Sequence, residues 1–250
     1  LNQRDRDELT RRGLLPNEIQ LAQELGWLRR WEKGSQLFGP ANIPGVNHWG
    51  LGGQSGLAIA APNSDGLIAG FQVKPDSQGD GPKYRWLAGC ALRNNEQPIP
   101  VFQHPDRRGD VEIWITEGFL KALVTAFLAW RLGLTHVVVV GCGGSNWASA
   151  PAQWERTLQR LNPTAIYLLP DAGAAQNENI LGQADRLRSL LRGLGHTLKF
   201  KWWGQFDKSG KGNLDPDEVP TQTIIDAPAL PAIPAGAIQL WSETPQRQAL

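Results

Sequence analysis

The chain has 250 residues, with 25 Lys and Arg against 24 Asp and Glu, and two cysteines. Its length allows one large domain or two small ones, each with a core of its own. The balanced charge excludes an overall basic field, so any nucleic-acid binding must come from a local patch of cations.

Cys90 and Cys142 stand far apart and outside any paired CxxC spacing, which supports neither a zinc site nor a disulfide framework. Reduced, cytoplasmic surroundings are the default. No amino-terminal basic region leads into a short apolar run, as a signal peptide requires. The longest apolar stretch, Phe119 to Trp130, contains Lys121 and is shorter than the about 20 residues that span a bilayer, so no membrane association is expected. Methionine is absent even at position 1, so the sequence is expected to be a segment of a longer chain.

Residues Leu1 to Trp31 read as two short helices broken at Leu14-Leu15-Pro16, with Pro16 suited to the first turn of the second. Arg4, Arg6, Arg11, Arg12, Arg29 and Arg30 are interleaved there with Asp5, Asp7, Glu8, Glu18 and Glu24. That is the pattern of a solvated surface with local ion pairs more than of a DNA-contacting patch. Lys33 to Gly53, rich in Gly, Pro and Asn, reads as a loop or linker. Gly56–Pro62 and Leu67–Val73 flank the turn Asn63-Ser64-Asp65-Gly66 and predict a β-hairpin.

A glycine-rich turn from Asp76 to Pro82 leads into an expected third strand, Lys83-Tyr84-Arg85-Trp86-Leu87. It alternates cations with rings. Such alternation suits single-stranded nucleic acid, with cations tracking phosphates and rings stacking bases; Lys74, Lys83, Tyr84, Arg85 and Trp86 are therefore candidate nucleic-acid-binding residues. The same alternation equally describes a hairpin strand with its rings in the core and its cations in water.

From Asp110 the rhythm changes to strand and helix in turn: strands at Val111–Ile115, His136–Val140, Ala165–Leu169 and Thr197–Trp202, helices at Phe119–Leu132, Ala152–Leu161 and Asn179–Leu194. The valine run Val137 to Val140 marks a strand buried on both faces. This predicts an α/β fold with a mainly parallel sheet flanked by helices. Beyond Pro220 the Pro/Ala-rich sequence reads as an extended tail or linker.

Three acidic spots stand at the ends of these units: Glu117, Asp171, and the group Asp215, Asp217 and Glu218. Strands of a parallel sheet point the same way, so the three converge on one edge, where open α/β sheets bind ligands. Gathered carboxylates raise one another's pKa unless a cation neutralises them, and Mg²⁺ or Mn²⁺ there would orient phosphates during phosphoryl transfer. Each spot also reads as a helix cap with acids favourable to the helix dipole. Lys121, four residues after Glu117, pairs with that acid or reaches a phosphate.

Thr116-Glu117-Gly118, Asp171-Ala172-Gly173 and Asp215-Pro216-Asp217-Glu218 resemble the three signatures of the Toprim domain of bacterial DnaG-type primases. The Ala58–Phe71 hairpin followed by Pro82-Lys83-Tyr84 resembles the small α+β segment that precedes Toprim in those primases. The stretches Lys83 to Leu87 and Thr116 to Ala122 are more similar still to plasmid and phage primase-like proteins with a Toprim-containing domain of unknown function. The resemblance covers roughly Gly56 to Val219, and several motifs in order are more specific than any one.

It implies acid/base or metal work for Glu117, a place beside it in the catalytic set for Lys121, and Mg²⁺ or Mn²⁺ held by Glu117, Asp171, Asp215 and Asp217. Two departures stand out: Gly173 replaces the usual second aspartate of an Asp-x-Asp pair, and Lys121 replaces the acid that DnaG primases carry four residues after the glutamate.

The expected organisation is an amino-terminal helical segment and loop (1–55), a small α+β subdomain as nucleic-acid-binding candidate (56–109), a Toprim-like domain (110–219) and the tail (220–250). The implied function is a metal-dependent primase-like core, a nucleotidyltransferase that joins nucleoside triphosphates on a single-stranded DNA template in plasmid, phage or mobile-element replication, with a replicative helicase in the same or another chain as a further partner. The alternatives are a degenerate, non-catalytic Toprim module that binds nucleic acid, and a Toprim nuclease. Topoisomerase is disfavoured, because the two tyrosines are Tyr84, in the candidate binding strand, and Tyr167, inside a core strand.

Overall fold

Asn2 accepts a hydrogen bond from the Asp5 N–H at 2.9 Å and donates its own N–H to the Asp5 carboxylate, a reciprocal cap that starts α1 (Gln3–Arg11). Pro16 opens α2 (Pro16–Glu24), as its fixed φ favours. The structure is a computed structural model and describes residues 1–35, 46–47, 50–51, 53–77, 81–87, 96–206 and 214–231.

The last part of the expected helical segment is a strand instead, β1 (Leu28–Trp31), whose Leu28 and Trp31 point inward while Arg29 faces out. Within the expected linker, β2 (Val46–Asn47) pairs with β3 (Gly50–Leu51). The hairpin forms as its turn chemistry dictates: β4 (Gly56–Pro62) and β5 (Ile68–Pro75) are joined by a turn in which the Asn63 side chain accepts from the N–H groups of Asp65 and Leu67. The expected third strand shrinks to β6 (Arg85–Trp86), because only those two residues find ladder partners, Val73 and Gln72. These strands make an antiparallel sheet in the order β1-β4-β5-β6.

The second sheet holds β7 (Val101–Phe102), β8 (Glu112–Glu117), β9 (Val137–Cys142), β10 (Ala165–Leu168), β11 (Leu198–Lys201) and β12 (Ala229–Leu230), in the order β12-β11-β10-β8-β9-β7. The four inner strands are parallel and both edge strands antiparallel. Helices α3 (Phe119–Arg131), α4 (Pro151–Leu161) and α5 (Glu178–Gly193) make the crossovers. This is the expected α/β fold with a mainly parallel sheet.

Two expected boundaries shift. Val101 and Phe102, assigned to the small subdomain, pair with Val140 and Val139 of the large sheet. The start of the expected tail folds back as α6 (Thr221–Asp226) and β12: Ile224 is fully buried, and the Trp202 N–H donates to the Pro228 carbonyl at 3.2 Å. Apolar burial and the ladder outweigh the Pro/Ala composition there; positions 232–250 lie outside the described residues.

Val137 and Val139 pack on one side of the sheet with α3, and Val138 and Val140 on the other with α4 and α5, which is why a pure valine run suits β9. α3 is apolar nearly all round because it is enclosed, by the large sheet on one side and by β4 with the amino-terminal helices on the other. Burying each Leu or Phe there contributes roughly 1.5–3 kcal/mol. The two sheets therefore share one core. Cys142 is a buried free thiol, Cys90 lies outside the described residues, and no described helix is long and apolar enough to cross a membrane.

Candidate functional site

From β8 the chain crosses to β9 on one side and then returns to lay β10 on the other. At such a reversal the crossover loops part, and a crevice opens outside the carboxyl ends of the two strands. Glu117 is the last residue of β8. Leu168 lies opposite Ile115, and the Leu169 N–H donates to the Ile115 carbonyl at 2.9 Å, so Asp171 arrives at the same edge. Gly118 adopts φ 81° and donates its N–H to the Cys142 carbonyl at 2.7 Å, turning the chain into α3 beside the crevice.

The capping alternative does not hold. Gly118 is the N-cap of α3 without any side-chain cap bond, Asn177 caps α5, and Asp215 sits in a turn before Pro220 starts α6. Glu117, Lys121, Asp171, Asp215 and Asp217 instead line one cleft of about 660 Å³.

Within it the charges pair in a way that sequence spacing does not predict. Lys121, from the first turn of α3, passes over Glu117 and donates to Asp171 Oδ2 and, at 3.1 Å, to Asp215 Oδ2. The other Asp215 oxygen accepts the Ala172 N–H at 3.0 Å. Asp217 is fully buried and ion-paired with Arg12, which also donates to Glu8 at 3.0 Å. Asp171 Oδ1 is buried with no hydrogen-bond partner, and the partly exposed Glu117 carboxylate makes no hydrogen bond or ion pair with any described residue. Burial, aided by Asp215 and Glu117 and opposed by Lys121, pushes the Asp171 carboxyl up to about 7. Burial also works against the Lys121 charge, but the Asp171 and Asp215 carboxylates outweigh it and raise its pKa.

Among the described residues no three Asp, Glu, His or Cys side chains are grouped to enclose a metal ion unaided. What the cleft offers is a partial shell, the orphaned Asp171 Oδ1 and the unpartnered Glu117. That donor set fits Mg²⁺ or Mn²⁺, which bind through one or two carboxylates and take water and substrate phosphate for the rest. Gly173, noted from the sequence as a departure from the resembled Asp-x-Asp pattern, has φ 82°, a left-handed conformation that glycine adopts without cost.

The nucleic-acid candidates divide. Lys83, Tyr84 and Trp86 line the cleft; Lys74 and Arg85 do not. Lys74 is drawn away by Glu8, to which it donates at 2.7 Å, and the Arg85 guanidinium lies folded against Gly81. Both readings of the alternating strand are partly realised. Trp86 stacks edge-on against Phe119 at 5.1 Å and Tyr84 packs on the core, yet both rings keep an edge in the cleft. Burial, with Arg12 and Lys74 nearby, lowers the Lys83 pKa.

Arg12, Gln72, Gly143 and Gly144 also line the cleft and were not singled out from the sequence as site residues. The glycine pair had a signal: Cys142-Gly143-Gly144 follows the valine strand at the same carboxyl edge. Arg12 had none, because its partner is 205 positions away.

No protein-family model matches the chain, and no curated protein matches it. Solved structures do. The RNA polymerase domain of Mycobacterium tuberculosis primase DnaG superposes with a TM-score of 0.59 at 14% identity, over 98% of this chain and 82% of that one. The same domain in complex with a double-stranded DNA oligomer bearing a 6-nucleotide overhang gives 0.54 at 15%, over 89% and 71%. The fold is that of a bacterial primase domain. The zinc-binding and RNA polymerase domains of the Aquifex aeolicus primase match with a TM-score of 0.54 at 15% identity, over 92% of this chain. The chain spans 57% of that Aquifex protein's solved length. In this primase fold the crevice described above is the place where parallel strand ends, a glycine pair and the acids meet.

Proposed function

We propose that the chain is the Toprim-type catalytic core of a primase-like nucleotidyltransferase, joining nucleoside triphosphates on a single-stranded DNA template in plasmid, phage or mobile-element replication. The observation that carries this reading is the cleft at the sheet's reversal point, where Asp171 holds a buried oxygen without a partner beside the unpartnered Glu117. The DNA-bound mycobacterial neighbour supports a single-stranded partner, and a replicative helicase is the natural supplier of one.

Glu117 stands at the strand end as the acceptor for the proton of an attacking 3′-hydroxyl. Lys121 keeps Asp171 and Asp215 together and places a cation beside the position of the phosphates. Lys83 takes the template or nucleotide phosphates, and the exposed edges of Tyr84 and Trp86 offer faces for bases. Mg²⁺ or Mn²⁺, held by Asp171 and Glu117, would supply charge stabilisation at the phosphoryl group. A second reading, a nucleic-acid-binding module without catalysis, is favoured by the absence, among the described residues, of a group of three metal-ligating side chains.

Primer synthesis with Mn²⁺ on single-stranded templates separates the two. Glu117→Gln is expected to reduce nucleotide joining by about 100-fold or more while leaving the melting temperature unchanged or slightly raised. A wild type that makes no product on any template while binding single-stranded DNA would establish the second reading.

A further inference from the structure

We infer that the Lys121 ammonium takes the place of one of the two cations that clamp the reacting oxygens in many phosphoryl-transfer sites, so that this cleft accepts a single divalent ion. The inference rests on the reading above and deepens it.

Its basis is the division of labour among carboxylate oxygens. Asp171 uses Oδ2 on Lys121 and keeps Oδ1 buried without a partner; Asp215 uses Oδ2 on Lys121 and Oδ1 on the Ala172 N–H. An ion bridging Asp171 and Asp215 would have to take, on the Asp215 side, an oxygen already engaged by the ammonium or by the Ala172 N–H. What stays open is Asp171 Oδ1 together with Glu117, enough for one ion with a partial shell.

The lysine's position is otherwise unfavourable. It lies in the first turn of α3, where the helix dipole disfavours a cation, and its side chain is only 13% exposed. The two carboxylates overcome both costs. A fixed charge with so little exposure also repels a second cation, since screening is reduced there. Asp217 adds no further ligand, because its buried carboxylate is committed to Arg12.

The test is a Mn²⁺ titration of the full chain followed by electron paramagnetic resonance, with the metal alone as probe. Wild type and Lys121→Arg should each bind one Mn²⁺ per chain. Lys121→Met should bind Mn²⁺ roughly tenfold or more tightly, and Lys121→Glu should bind two ions. Two ions in wild type, or unchanged affinity and number in Lys121→Met and Lys121→Glu, would overturn the inference. If a single variant unfolds without metal, Lys121→Met/Asp215→Asn removes a cation and an anion together. That double variant should bind one Mn²⁺ with wild-type affinity, and loss of binding would show that Lys121 only holds the ligands in place. One Mn²⁺ in wild type with no primer synthesis leaves this inference standing and removes the catalytic reading.

Discussion

Two charge clusters in this molecule use the same residue types to opposite ends. Around α1, Glu8 meets Lys74 at 2.7 Å, Arg11 at 2.9 Å and Arg12 at 3.0 Å, and Asp76 is held by Arg30. At the carboxyl edge of the large sheet, one ammonium serves Asp171 and Asp215, an Asp171 oxygen is left without a partner, and Glu117 has none among the described residues. The consequences run in opposite directions. Burial opposes the Glu8 charge, yet its three cations hold the carboxyl down to about 2. Burial of Asp171, with two further carboxylates nearby, lifts that group to about 7. A saturated cluster holds elements together; an under-saturated one, kept at an energetic cost, marks a place for something that arrives later.

The largest effect is expected at the joint between the two clusters. Arg12→Ala leaves the fully buried Asp217 carboxylate without its cation and should lower stability by about 3–5 kcal/mol. Arg12→Ala/Asp217→Asn should recover much of the loss in a denaturant double-mutant cycle. Simple additivity would show that the joint stabilises nothing.

A middle-sized effect distinguishes the sheet edge. Because the Asp171 pKa is raised in the folded state, from 3.8 to about 7, its contribution favours the fold fully below 3.8 and is lost as pH rises through about 7. Thermal melts with chelator should show wild type losing on the order of 2 kcal/mol over that window relative to Asp171→Asn. Parallel curves would mean that the edge is as saturated as the α1 cluster.

The smallest effect belongs to α1 and has the opposite sign. The Glu8 pKa is depressed, so its contribution is present above 4.5 and lost as pH falls toward about 2. Glu8→Gln should flatten that acid limb by on the order of 1 kcal/mol, since the group is partly solvated. An acid limb unchanged in Glu8→Gln would remove the contrast between the clusters.

Much of this architecture is legible in the sequence. The Asn63–Gly66 turn, the valine run of β9 and the strand that stops at Glu117-Gly118 carry local signals, and these are the elements that position the cleft. β7 and β12 were invisible because two residues have no period to read, and β1 because Leu-Arg-Arg-Trp does not alternate: Leu28 and Trp31, three apart, are buried in different clusters. At the site, spacing along α3 set Lys121 beside Glu117, but the choice of Asp171 and Asp215 as its partners depends on how β10 and the turn at Asp215 return to the same edge. No local pattern encodes that choice, and the same holds for Arg12 and Asp217.

The distance between Arg12 and Asp217 along the chain has a consequence for biosynthesis. A polypeptide leaves the ribosome amino terminus first, so α1 and its arginine emerge early, while Asp217 appears 205 residues later. Until then Lys121 lacks Asp215, and the wall that carries Asp217 and Glu218 does not exist. Nascent chains can build the antiparallel sheet and the inner strands β8 to β10 from what has already emerged, but the cleft closes only with the last acids. An unfinished chain therefore lacks the completed cleft until its distal segment has emerged.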